Sequence, residues 1–89
     1  MIDEKYLFIV GFQVLDFQEK NEKPTFTKIV KVLDGRVAKN KISQVLDYMY
    51  DVGLVTMDYG MVDEKRAGRI IKLTEDGICL IKNIQKEMT

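Results

Sequence analysis

The apolar residues of this chain change their period at Gly53, and that change limits the folds open to it. Before Gly53 they recur at helical spacing in three successive stretches. Immediately after it, Val55, Met57 and Tyr59 alternate with Thr56 and Asp58, the period-two pattern of a strand with one buried face. A chain of 89 residues whose apolar fraction is 46% has material for one core. The expected organisation is therefore a single domain over residues 1–89, mostly α with one β-hairpin.

The first helix is expected over residues 3–20, capped by Asp3, with Leu7, Val10, Val14 and Phe17 on one face. Phe8, Phe12 and Leu15 form a second stripe, although a helix in a small domain should need only one apolar face. "NEKPTF" reads as a polar break. Thr25 then caps a helix over 25–34, with Phe26, Ile29, Val30 and Leu33 inward and Asp34-Gly35 ending it. A third helix over 40–52 is expected to start at Asn40 as N-cap, bury Ile42, Val45, Leu46 and Met49, and stop at Gly53. Residues 54–73 read as a hairpin with "GMVDEKRAG", Gly60 to Gly68, as a charged tip and Ile71 and Leu73 inward. A last helix over 75–88 is capped by Thr74. It carries Ile78, Ile81 and Met88 on one side and Leu80 and Ile84 on the next, with Gly77 a small cost to its stability.

Net charge is zero, but the charges are not mixed evenly. Residues 25–41 are net +4 and residues 63–72 net +2, while residues 42–62 are net −3. Two basic blocks on a neutral chain can still present a local field to a polyanion.

Helix, helix, helix, strand, strand, helix is the order of a winged helix-turn-helix. "ISQVLDYMYDVGLV" resembles the recognition helix of bacterial and archaeal winged-helix regulators of the MarR, ArsR and PadR type, and "RIIKLTEDG" is similar to their strand-to-helix junction after the wing. The resemblance covers about residues 25 to 88. It implies a DNA-binding regulator that dimerises through its terminal helices. The start of the third helix would enter the major groove, and the hairpin would track a phosphate backbone or the minor groove. Both basic blocks fall on those elements.

The residues expected to contact DNA around the turn and third helix are Lys28, Arg36, Lys39, Asn40, Lys41, Ser43, Gln44 and Tyr48; Lys31 lies in the same block. On the wing they are Lys65, Arg66 and Arg69. Asp47 stands among them with its role open: acceptor from a cytosine amino group, or a solvated or intramolecular carboxylate. Tyr48 flanks this face, but like Tyr50 it reads first as a packing residue. Met49, Met57 and Met61 read as core or gap-filling residues, and Cys79 as a buried thiol. The dimer interface is expected at Phe8, Phe12, Leu15, Leu80 and Ile84.

Catalysis is not expected. With no histidine and one cysteine there is no nucleophile–base pair of the usual kinds, no zinc-ligand spacing and no phosphate-cradling glycine loop. No cofactor or metal is expected, and no small-molecule effector is identifiable. The lone cysteine, the short apolar run from Tyr6 to Phe12 and the acids before it point to a cytoplasmic protein without a membrane partner, on the nucleoid when DNA-bound. The alternative is a winged-helix module that binds proteins and has little DNA affinity, which the neutral balance and the acids Asp47 and Asp51 favour. RNA binding ranks third, for want of exposed aromatic platforms.

Overall fold

The computed structural model describes residues 3–88, with the side chain of Met88 outside the description. Four helices and one antiparallel hairpin follow in the expected order: α1 Glu4–Glu19, α2 Phe26–Val32, α3 Lys39–Asp51, β1 Val55–Met61, β2 Ala67–Leu73 and α4 Glu75–Met88. This is an α+β fold with winged-helix connectivity. The side chain of Met88, expected on the same side of α4 as Ile78 and Ile81, lies outside the described residues.

The α1 helix is central. Asp3 caps it by accepting from the Lys5 N–H at 2.9 Å, and Asn21 ends it in the left-handed region at φ 58°. It packs against α3, α4 and β2. That explains its excess of apolar residues in part: Leu15, expected on a dimer interface, is buried within the protomer. At Gly11 a Cβ would overlap the Ile81 side chain, so the absence of one lets α4 approach closely.

Between α1 and α2 the "NEKPTF" break is also a piece of sheet. The buried Pro24 accepts from the Ile71 N–H at 2.8 Å through its carbonyl, and Thr25 bridges to Ile70. The start of α2 is thus tied to the outer edge of β2. Thr25 caps α2 as expected, accepting from the Lys28 N–H at 3.3 Å. The helix ends two residues before the expected limit, and its last turn gives way to a loop through Gly35, at φ 81°, that inserts Val37 into the core.

The third helix corrects one expectation. Its N-cap is Ala38, not Asn40: the Lys41 and Ile42 N–H groups both bond to the Ala38 carbonyl, and no side chain caps the end. Asn40 sits in the first helical turn, exposed. An uncapped start leaves N–H donors unsatisfied. Ala38→Ser is therefore expected to raise the unfolding free energy by about 1 kcal/mol, measurable by urea denaturation; an unchanged midpoint would mean the α3 N–H groups are already satisfied.

Gly53, at φ 80°, ends α3 as expected. The Leu54 N–H bonds to the Met49 carbonyl at 2.7 Å and the Gly53 N–H to that of Tyr50 at 3.2 Å, a paired closure that needs a left-handed residue. The hairpin then pairs Val55 with Leu73, Met57 with Ile71, Tyr59 with Arg69 and Gly60 with Gly68. The charged tip is shorter than expected, Val62 to Arg66, because the two glycines are not loop ends but a cross-strand pair. The junction into α4 is locked by one hydroxyl. Thr74 Oγ1 donates to the Gly53 carbonyl at 2.8 Å and accepts from the Gly77 N–H at 3.1 Å. Gly77 is required rather than tolerated, since a Cβ there would overlap the Leu54 carbonyl oxygen.

Candidate nucleic-acid interface

One basic residue of the first block, Lys28, and two of the second, Arg66 and Arg69, meet across one cleft, whereas Arg36, Lys39 and Lys65 line other surfaces. Thr25, Thr27 and Lys28 from the start of α2 face Arg66 and Arg69 from the wing around a volume of about 250 Å³. The Pro24–Thr25 tie to β2 holds the two walls together. Among the described residues neither Lys28 nor Arg69 makes a side-chain hydrogen bond or ion pair. Two cations without an ion pair, Lys28 and Arg69, and the hydroxyls of Thr25 and Thr27 thus line one small cleft.

Arg69 also lines a second cleft of about 270 Å³, where Ser43 and Asp47 of α3 stand over Met57 and Ile71 of the hairpin and Phe26 of α2. Asp47 shares this cleft with the Arg69 guanidinium but is exposed and makes no hydrogen bond or ion pair among the described residues, as a solvated carboxylate would be. The exposed face of α3 carries Lys39, Asn40, Gln44, Asp47 and Asp51, with Ser43 half-buried beside it. Lys31 and Arg36 are exposed near the turn.

Lys41 is placed differently from expectation. Its ammonium lies 5.5 Å from the centroid of the Tyr6 ring on α1, so it is half-buried on the α1 side of α3 and engaged in a cation–π contact. Tyr48 and Tyr50 also depart from the packing role expected of them, being 42% and 53% exposed. The α3 stripe already fills its part of the core with Ile42, Val45, Leu46 and Met49, which leaves the tyrosines outside it. Met61 is half exposed rather than a core residue, because β1 runs beyond the core before it reaches the tip. Met57 packs on the core edge as expected. Cys79 is exposed, not buried: it lies on the side of α4 opposite Gly77, Ile81 and Ile84.

The wing tip is organised by Asp63. Its Oδ1 accepts from the Lys65 and Arg66 N–H groups at 2.8 and 2.9 Å, and its Oδ2 from Arg66 Nε at 3.2 Å. The two backbone bonds, more than the exposed ion pair, hold its carboxyl below the usual carboxylate range. A lowered folded-state pKa means that this ordering is present above the ordinary carboxylate range and is lost as pH falls through the lowered value. We expect Asp63→Ala to speed amide exchange at Lys65 and Arg66 while hardly moving Tm, since the tip is exposed. Unchanged exchange would show that the tip is held by its strands alone.

On α1, the rings of Phe8 and Phe12 pack tilted against each other with centroids 5.6 Å apart, Phe12 being 39% exposed. Phe8, Ile9 and Ile84 line an apolar groove of about 400 Å³, rimmed by Glu4, Lys5 and Glu87. Of the five residues expected at a dimer interface, Phe8, Phe12 and Leu80 keep accessible surface. Leu15 and Ile84 are used by the protomer core, Ile84 leaving only its edge in the groove. Ile9 was not anticipated; its helical position points away from the main stripe, and only its contiguity with Phe8 marks it. Among the described residues no helix is long and apolar enough to cross a membrane, and no three His, Cys, Asp or Glu residues gather as a metal would require.

No family model matches this sequence, and no curated protein matches it. Among solved structures, the chain is similar to the crystal structure of AF1382 from Archaeoglobus fulgidus at 16% identity and a TM-score of 0.72, over 99% of this chain and 88% of that one. The likeness extends over the whole arrangement of helices and hairpin, and at this identity it speaks to fold alone.

Proposed function

We propose that this chain is a sequence-specific double-stranded DNA-binding protein, without catalytic activity, that regulates transcription as a homodimer in the cytoplasm. The observation supporting it is the cleft between α2 and the wing, where Lys28, Arg66 and Arg69 converge beside the exposed face of α3. In this reading the cleft takes a backbone phosphate, while Asn40, Gln44 and Ser43 read base edges. Lys39 and the uncapped N–H groups of α3 meet a second phosphate. The Phe8–Phe12 face and the α1–α4 groove would be covered by a second copy, and two copies would read half-sites about one helical turn apart.

A salt series on duplex DNA tests the proposal. Affinity should fall steeply with salt, with a slope of roughly −0.9 per phosphate neutralised; absent or salt-independent binding would leave the protein-interaction module, which Asp47, Asp51, Tyr48 and Tyr50 on exposed parts of α3 favour. Gln44→Ala should change sequence preference, by about 1–3 kcal/mol at one base pair. Arg66→Ala should weaken all sequences alike. Equal effects of the two would remove Gln44 from base reading. A light-scattering mass of one chain at micromolar concentration would remove the dimer.

A further inference from the structure

The hairpin carries a feature that phosphate binding does not use. Val55, Met57, Tyr59 and Met61 lie on one face of β1, and their partners Leu73, Ile71, Arg69 and Ala67 lie on the same face of β2. The base of this face is core: Val55, Ile71 and Leu73 are buried. Beyond Met57 the same face leaves the core, and Tyr59 stands 76% exposed with Met61 half exposed beside it. Among the described residues the Tyr59 side chain has no hydrogen bond and no ring contact. Directly opposite is Arg69, which lines both clefts. Against the expectation that the domain lacks exposed aromatic platforms, Tyr59 is therefore a bare aromatic ring on the side of the wing that turns toward α3, at cross-strand distance from a guanidinium without an ion pair among the described residues.

We propose that Tyr59, with Arg69 opposite and Met61 alongside, is a stacking platform for an unpaired nucleobase, so that the protein prefers DNA containing unpaired bases to unbroken duplex. The inference rests on the DNA reading above and adds a substrate class to it. Every base has a π face on which an aromatic ring can stack, whatever the sequence. The phosphate attached to that base needs a cation within reach, and Arg69 supplies it. In an intact duplex both faces of each base are already stacked, so the platform has nothing to bind unless a base is extruded at a cost of a few kcal/mol. Where the base is already unpaired that cost vanishes. Tyrosine, methionine and arginine are also enriched at protein interfaces. Lys28, Arg69 and Lys65 on or beside the wing outweigh its acids, of which Asp63 is already paired with Arg66, and favour a polyanion over a protein here.

The test compares three probes of one length at about 100 mM salt: a fully paired duplex, the same duplex with a short central unpaired bubble, and one of its strands alone. The wild-type chain should bind the bubble roughly five- to hundredfold more tightly than the paired duplex, the worth of one base–aromatic stack. Tyr59→Ala should erase that preference and leave the paired duplex within about twofold, since no phosphate contact is lost. Tyr59→Phe, which keeps the ring, should retain it. Equal wild-type binding to bubble and duplex, or a loss in Tyr59→Ala that is the same for both, overturns the inference while the DNA reading stands. No binding to any of the three probes overturns both.

Discussion

Gly77→Ala is expected to destabilise the protein by about 3 kcal/mol, at or beyond the upper end of the usual range for overpacking a well-filled site, and to do so without touching any charged residue. The new methyl would overlap the Leu54 carbonyl oxygen. That oxygen is backbone, and it already accepts from the Thr74 N–H at 3.0 Å, so it cannot rotate away as a side chain would. Relief requires α4 to lift from the start of β1. Lifting it breaks the Thr74 hydroxyl bridge between Gly53 and Gly77 and loosens Ile81 and Ile84 from the core. The helix propensity gained by replacing glycine is only about 1 kcal/mol and is outweighed. Urea denaturation measures the effect. A variant as stable as wild type would show that α4 can shift freely and that the "LTEDG" junction is not a fixed joint. Gly11→Ala is a useful contrast, since there the obstacle is the flexible end of the Ile81 side chain.

This junction shows how far the sequence alone could be read. Thr74 and Gly77 stood out by resemblance, and the element order followed from the change of apolar period at Gly53 and from caps such as Asp3 and Thr25. What periodicity could not supply was distance between separate elements. Gly77 looked like a weak helix residue because its reason, the Leu54 carbonyl, lies more than twenty residues away in sequence. Asn40 looked like an N-cap because the residue type fits, whereas the loop from Gly35 delivers the chain into helix two residues sooner, at Ala38. The stripe of Phe8, Phe12 and Leu15 was divided by α1's central position, which buries Leu15 and leaves Phe12 out. Tyr59 was legible only as a strand residue, because alternation marks which face a residue takes but not where along that face the core ends. Lys41 stands out in the sequence by its charge alone, which does not show that its ammonium lies over the Tyr6 ring of another helix.

Arg69 carries the other large expected effect. Within the DNA reading, Arg69→Ala should weaken binding to every duplex by about tenfold to hundredfold, as expected for a charge-assisted contact worth roughly 1.5–3 kcal/mol. It should also make the salt slope shallower by about one. The side chain is exposed and makes no ion pair among the described residues, so its removal should change stability by no more than about 0.5 kcal/mol, and a loss of binding could not be ascribed to unfolding. Arg69→Lys separates charge from shape: it should keep the slope yet recover only part of the affinity, because an ammonium cannot offer a planar fork to a phosphate. Asp47, across the second cleft, acts in the opposite sense. Its carboxylate makes no ion pair but lowers the positive potential of the cleft that it shares with Arg69, so Asp47→Asn should strengthen duplex binding. In the Arg69→Ala background that gain should shrink, since the cation whose field it offsets is gone. Additive effects in this double-mutant cycle would mean that Asp47 repels DNA directly from α3 rather than through Arg69. Unchanged affinity and slope in Arg69→Ala would mean that the α2–wing cleft is not where a phosphate sits.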